Sequence, residues 1–185
     1  HKNLIHVSIH AGVGAGIILD HHLYTGLAGT AGEAGHMIVQ PGGRSCPCGN
    51  HGCLEQYISE PAVLSRYREL SGRTTVSIDD LVWAYNQKET AALAVTDEFT
   101  TYLACGINNL WNLFSPECII LNCQLTAYLP QLLPEILQKL SPRFRATCHL
   151  KLSTLQDTGV LLGAAKVCIS KYLGTEKLYF SGLQP

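Results

Sequence analysis

Three thiols fall within eight residues in the run Cys46-Pro-Cys48-Gly-Asn-His-Gly-Cys53, and His36 stands ten positions upstream. Sulfur and imidazole donors so grouped suit a closed tetrahedral zinc site, in which four ligands converge and no position is left open to activate water. Zinc held by His36, Cys46, Cys48 and Cys53 would therefore be structural rather than hydrolytic. Gly49 and Gly52 free the backbone to wrap the sulfurs about one centre. Spacing alone leaves two alternatives open, buried free thiols and a disulfide, because Cys-x-Cys is tighter than the common finger pattern. His51, inside the loop, is a rival ligand.

Two carboxylates flank the cluster: Glu33 precedes His36 by three residues, and Glu55 follows Cys53 by two. A metal that pins His36 and Cys53 would carry both acids into one neighbourhood, where they can accept hydrogen bonds from sugar hydroxyls. Taken singly, they read equally well as solvated surface acids. The run Gly12-Val-Gly14-Ala-Gly16 has the composition of a loop that cradles phosphate with backbone N–H groups. It lacks the Lys-Ser/Thr of a Walker loop, and a strand rather than a helix follows, so a tight hairpin is the plainer reading. His1, His6, His10, His21, His22 and His149 have no ligand-like spacing.

The elements that must position these groups are read from periodicity. Residues 4–9 alternate apolar and polar, as a strand does; residues 11–16 form a glycine-rich turn, and an apolar strand resumes at 17–19. A hairpin turn at 20–22 leads into a further short strand. Residues 26–35, rich in Gly, Ala and Thr, read as a loop that approaches something closely. Residues 37–40 read as a short strand closed by a Pro-Gly-Gly turn. Beyond the cysteines the chain turns helical. Glu60-Pro61 suits a helix start, and residues 76–85 form a short helix capped by Ser77. Val95, Phe99, Leu103, Ile107, Leu110 and Phe114 mark one long amphipathic helix over 90–114, ended before Pro116. A buried strand at 118–122, a helix at 128–140, a strand at 149–153 and a final helix at 158–172 complete an α/β alternation. Trp83, Tyr85 and Trp111 fall on helical faces as core or interface residues.

The 185 residues carry a net charge of −1 and no Lys/Arg cluster, which argues against a nucleic-acid surface within this chain. No apolar run approaches the ~20 residues of a membrane span. Of eight cysteines, five are scattered among apolar residues, the pattern of small buried hydrophobes in a reducing, cytoplasmic compartment. The chain opens with His1 in strand-like sequence, and a longer parent protein is expected.

Together these residues resemble the ROK family of repressors, open reading frames and sugar kinases. The resemblance runs from the glycine-rich turn at Ile9–Ile17, through Gly26, to Gly-Glu33-Ala-Gly-His36. It continues in the Cys-x-Cys-Gly-x-x-Gly-Cys-x-Glu segment from Cys46 to Glu55, and Gly159–Ala165 is similar to the family's closing helix. It implies an actin-like ATPase or ribonuclease-H-like fold, a mixed sheet flanked by helices with a zinc knuckle. By the same resemblance, residues 1–174 are the C-terminal part of an effector domain whose helix-turn-helix and first lobe lie upstream, and 175–185 are a tail. It assigns structural zinc to His36, Cys46, Cys48 and Cys53, sugar contacts to Glu33, His36 and Glu55, and a vestigial phosphate loop to Gly12, Gly14 and Gly16.

Two departures separate the family's branches. His10-Ala11-Gly12 stands where its kinases carry Gly-Thr-Gly, and Ile120–Gln124 where they carry Gly-Gly-Gly beside the adenosine. The expected function is thus sugar sensing in a transcriptional repressor. An ATP-dependent sugar kinase is the alternative, and a zinc-stabilised interaction domain without sugar binding the third reading. Expected partners are a sugar or sugar phosphate, a second copy in a dimer or tetramer, and DNA through an upstream domain only.

Overall fold

A computed structural model of the chain describes residues 1–155 and 158–174. The expected tail at 175–185 lies outside the described residues. The chain divides into two units, His1–Ser153 and the remainder from Thr154.

In the first unit the alternation at residues 4–9 becomes β1 (Leu4–Ile9), which buries Ile5, Val7 and Ile9. β2 (Val13–Leu19) pairs antiparallel with it, from Leu4 opposite Ile18 to Ile9 opposite Val13. The glycine run is therefore mostly strand: the turn is confined to residues 10–12, closed by the His10 N–H donating to the Gly12 carbonyl at 2.9 Å, and Gly14 and Gly16 lie within β2. Asp20 and His21 turn the chain with φ of 49° and 68°, a two-residue hairpin of the twist that strands favour, into β3 (His22–Tyr24).

No strand forms at 37–40. Only Ile38 makes a bridge, to Cys53. The Val39 and Gln40 N–H groups both donate to the Gly52 carbonyl, and the chain turns away at Pro41-Gly42, so no ladder can propagate. A short turn, α1 (Glu55–Ile58), follows, then α2 (Glu60–Ser71) with Ser59 as N-cap and Gly72 as left-handed C-cap. α3 (Ile78–Asn86) starts at a full capping box between Ser77 and Asp80. α4 (Thr90–Phe114) has the expected bounds and buries Val95, Phe99, Leu103 and Ile107.

β4 (Cys118–Cys123) lies parallel to β1, Ile9 opposite Cys123. The helix expected at 128–140 starts later, as α6 (Leu132–Lys139), and a separate short helix, α5 (Gln124–Tyr128), precedes it. Pro130 causes the break, since the residue before a proline is driven out of the helical region, here Leu129 at φ −121° and ψ 69°. α7 (Pro142–Thr147), capped by Ser141, is too short to show a period and was not anticipated. β5 (His149–Leu152) closes a five-stranded mixed sheet of order β3-β2-β1-β4-β5, and α8 (Thr158–Leu173) forms the described part of the second unit. No helix among the described residues is long and apolar enough to cross a membrane.

The core of the first unit lies between the sheet and α4 with α6, joining Ile5, Val7, Ile119 and Leu121 to Phe99, Leu103, Ile107 and Ile136. Trp111 is in this core; Trp83, expected there or at an interface, is 58% exposed. At Gly106 α4 comes so near Leu54 that a Cβ would lie 2.6 Å from a Leu54 methyl. The residue just after Cys53 is thereby fixed to the longest helix of the fold.

Candidate functional site

Residues 26–54 are loop, shaped by backbone contacts. The close approach expected of the first half is made to β2: the Ala15 N–H donates to the Gly32 carbonyl at 2.7 Å, and a Cβ at Gly32 or Gly35 would overlap the Ala15 or Val13 carbonyl. This seats the 3₁₀ turn Ala34–His36, which ends in His36. The second half folds back as a knuckle. The Gly52 N–H donates to Arg44, Cys46 to Asn50 and Gly49 to Cys46, and the Leu54 N–H donates to the Met37 carbonyl at 2.8 Å.

The knuckle brings the ligating atoms of His36, Cys46, Cys48 and Cys53 within 4.8 Å of one another. Cys48 Sγ and Cys53 Sγ stand 3.6 Å apart, and Cys46 Sγ stands 3.7 Å from His36 Nδ1. A disulfide would need ~2.05 Å. The edges of a tetrahedron built on zinc–sulfur bonds of ~2.3 Å and zinc–nitrogen bonds of ~2.0 Å are about 3.5–3.8 Å. All cysteines here are free thiols. The donor set therefore fits a divalent metal in both kind and spacing. Sulfur chemistry adds to the fit: burial, then Cys46 and Cys48 beside it, pushes the Cys53 thiol up to about 12, while the Asn50 backbone and Cys46 hold Cys48 below its ordinary value. A cation at the centre of the three sulfurs would favour the ionised form of the raised Cys53 thiol. His51, the rival ligand, pairs by its backbone with Ser45 and stands outside this group.

The two acids are placed differently. Glu33 Oε2 lies 3.9 Å from His36 Nε2, on the ring nitrogen turned away from the cysteines. Glu55 reaches back to the β1–β2 turn, where its Oε2 accepts from the Val13 N–H at 3.1 Å; a Cβ on Gly12 would stand 3.0 Å from that oxygen. Of the three glycines expected as a phosphate loop, only Gly12 lies in the turn, and its bareness makes room for Glu55. At the neighbouring ends of parallel β1 and β4, the Asn122 amide Nδ2 lies 3.4 Å from His10 Nε2.

Several residues that sequence reading passed over hold the knuckle. Tyr57 stacks on Tyr102 of α4 at 4.0 Å, and the Arg44 guanidinium covers the Tyr57 ring at 4.5 Å. Arg44 also donates to the Gln56 carbonyl at 2.8 Å and pairs with Glu98 of α4, which Arg66 of α2 pairs in turn. The Gln56 amide donates to Cys46 Sγ at 3.7 Å. The only signal for this set was position: Arg44 and Gln56-Tyr57 flank the cysteines on either side.

A model of the ROK family matches residues 1–171. The xylose repressor of Bacillus spizizenii is 33% identical over 182 residues, covering 96% of this chain and 47% of the repressor. The glucokinase of Halalkalibacterium halodurans is 30% identical over 181 residues, covering 88% of this chain and 55% of the kinase. Among solved structures, a ROK family transcriptional regulator described as a homolog of the E. coli MLC protein superposes with a TM-score of 0.69 at 31% identity. It covers 82% of this chain and 42% of the regulator. The chain thus spans about half the length of the curated relatives it matches. With the glycine turn, the Gly-Glu-Ala-Gly-His segment and the cysteine knuckle in place along a match that takes in nearly all of its length, the chain belongs to the ROK family.

Proposed function

We propose that residues 1–174 act as the C-terminal part of the sugar-sensing effector domain of a ROK transcriptional repressor of sugar-utilisation genes. The observation that carries this reading is the His10–Asn122 pair across the ends of β1 and β4. The family's kinases carry glycines there so that backbone can approach the nucleotide. An imidazole and an amide at those two positions would fill space that phosphate and adenosine need. The xylose repressors among the relatives favour the same branch and put a pentose first among candidate effectors.

In this reading His36 Nδ1 and the sulfurs of Cys46, Cys48 and Cys53 hold a structural zinc. Bound there, the ion would fix the shape of the loop and supply no nucleophile. With Nδ1 so committed, His36 Nε2 faces Glu33, and these two with Glu55 offer acceptors and a donor to sugar hydroxyls. Glu55 keeps a second oxygen beside the one that Val13 holds. Gly12 serves the hairpin and Glu55, while Gly14 and Gly16 serve β2, which supports the reading of a vestigial phosphate loop. Sugar bound differently by the open and closed arrangements of two lobes would shift their populations and reset DNA-binding domains upstream, in a dimer or tetramer working in the cytoplasm.

The glucokinase relative favours a second reading, an ATP-dependent sugar kinase. Titration calorimetry of the intact protein with D-xylose, D-glucose, N-acetylglucosamine and ATP separates the two. We expect saturable heat with one of the sugars and none with ATP. Binding of ATP accompanied by phosphorylation of the sugar would establish the kinase reading instead.

A further inference from the structure

The Cys46 sulfur has a hydrogen-bond donor outside the four-ligand set. Gln56 Nε2 lies 3.7 Å from it, within the range of an N–H···S contact. The assignment of nitrogen rather than oxygen to that end of the amide follows from charge: an ionised sulfur is an acceptor only, and the carbonyl end would repel it. The backbone of Gln56 is fixed as well. Its carbonyl accepts from Arg44 Nη1 at 2.8 Å, and Arg44 is held by Glu98 and by the face of Tyr57. Arg44 lies just before the cysteines and Gln56 just after them, so this pair closes the knuckle from outside.

We infer that Gln56 is a positioning residue of the metal centre, directing one N–H at Cys46 to draw charge off that sulfur. Arg44 fixes the segment from which it reaches. This rests on the metal reading above and goes beyond it, because it makes the sulfurs inequivalent: Cys46 becomes a weaker donor to the metal and a less reactive thiolate. A donated hydrogen bond lowers the sulfur lone pairs in energy. Its loss should raise them and make the sulfur more nucleophilic, without changing the number of ligands.

The test uses the intact protein, stripped of metal and titrated with cobalt(II), in wild type, Gln56→Leu and the near-isosteric Gln56→Glu. One cobalt per chain with tetrahedral absorption is expected in wild type. In Gln56→Leu the sulfur-to-cobalt charge-transfer band should move to longer wavelength, and iodoacetamide should alkylate Cys46 faster in the metal-loaded protein. In Gln56→Glu, with a carboxylate facing the sulfur, metal affinity should fall by about 10-fold, the lower end for lost outer contacts of a metal ligand. Coincident bands and alkylation rates in cobalt-loaded wild type and Gln56→Leu would overturn the inference and leave the metal reading standing. Failure of wild type to take up cobalt would overturn both. Gln56→Glu guards against a Leu variant that folds poorly, since it keeps the side chain's length and shape.

Discussion

At the level of single residues, the knuckle is enforced by glycines that no other residue can replace. Gly52 has φ of +81°, and a Cβ there would overlap the Gln40 carbonyl; at Gly43 it would overlap the Tyr57 hydroxyl, which accepts from the Arg44 N–H at 3.0 Å. Both positions bring backbone against backbone or ring so that four donors can converge. His6 shows a different constraint. Half-buried on β1 opposite Gly16, it is held below its ordinary pKa of 6.5 first by burial and then by nearby His10. The unfolded chain therefore takes up this proton more readily than the folded one. The contribution is fully present above pH 6.5 and is lost as pH falls below it through the folded value. Urea midpoints should accordingly drop between pH 7.5 and 5.5, and His6→Gln should flatten that slope; an unchanged slope would show that His6 does not carry it.

Elements transmit these constraints. α4 is the beam to which the knuckle is tied, through Leu54 against Gly106, Tyr57 on Tyr102, and Arg44 to Glu98. Stacked aromatic pairs contribute ~0.5–1.5 kcal/mol beyond their buried area, so Tyr57 and Tyr102 add directly to the rigidity of the site. α3 packs on α4 and depends on its own start signal: Ser77 Oγ accepts from the Asp80 N–H at 3.2 Å, while the Asp80 carboxylate takes the Ser77 N–H at 2.8 Å. Ser77→Ala should lower stability by ~1 kcal/mol, read from denaturant midpoints, with metal content unchanged. The existence and cap of this helix were legible, because cap and period lie within a dozen consecutive residues; its bounds, expected at 76–85, fall at Ile78–Asn86. The start of the helix expected over 128–140 was not legible, since the same apolar period runs across Pro130 and only the proline's effect on Leu129 separates α5 from α6. The strand expected at 37–40 failed for a related reason: apolar residues permit a strand, but Gly52 takes both N–H donors and the turn at Pro41 removes the partner.

Across the whole molecule, metal and fold should be one system. A closed four-ligand site couples binding energy to the order of its loop. Treatment of the intact protein with a zinc chelator should therefore lower its melting temperature and weaken sugar binding together, and Cys48→Ser should do the same without chelator. Sugar affinity unchanged by either would show knuckle and pocket to be independent. Residue types and their spacing gave the cysteine and histidine cluster, the long helix and the α/β alternation, and the resemblance of short motifs gave the family, because each rests on neighbours in the chain. Only tertiary structure decided what the glycines are for. Gly14 and Gly16 belong to a strand and Gly12 makes way for Glu55, while Gly32 and Gly35 press the His36 turn onto β2. It also decided which ring nitrogen of His36 faces the sulfurs and which faces Glu33, and it brought Gln56, Arg44 and Glu98 around the cysteines. The physical reason is the same in each case. A ligand set is written in a short stretch of chain, whereas the contacts that aim it come from β2, α2 and α4, whose approach depends on how the whole core packs.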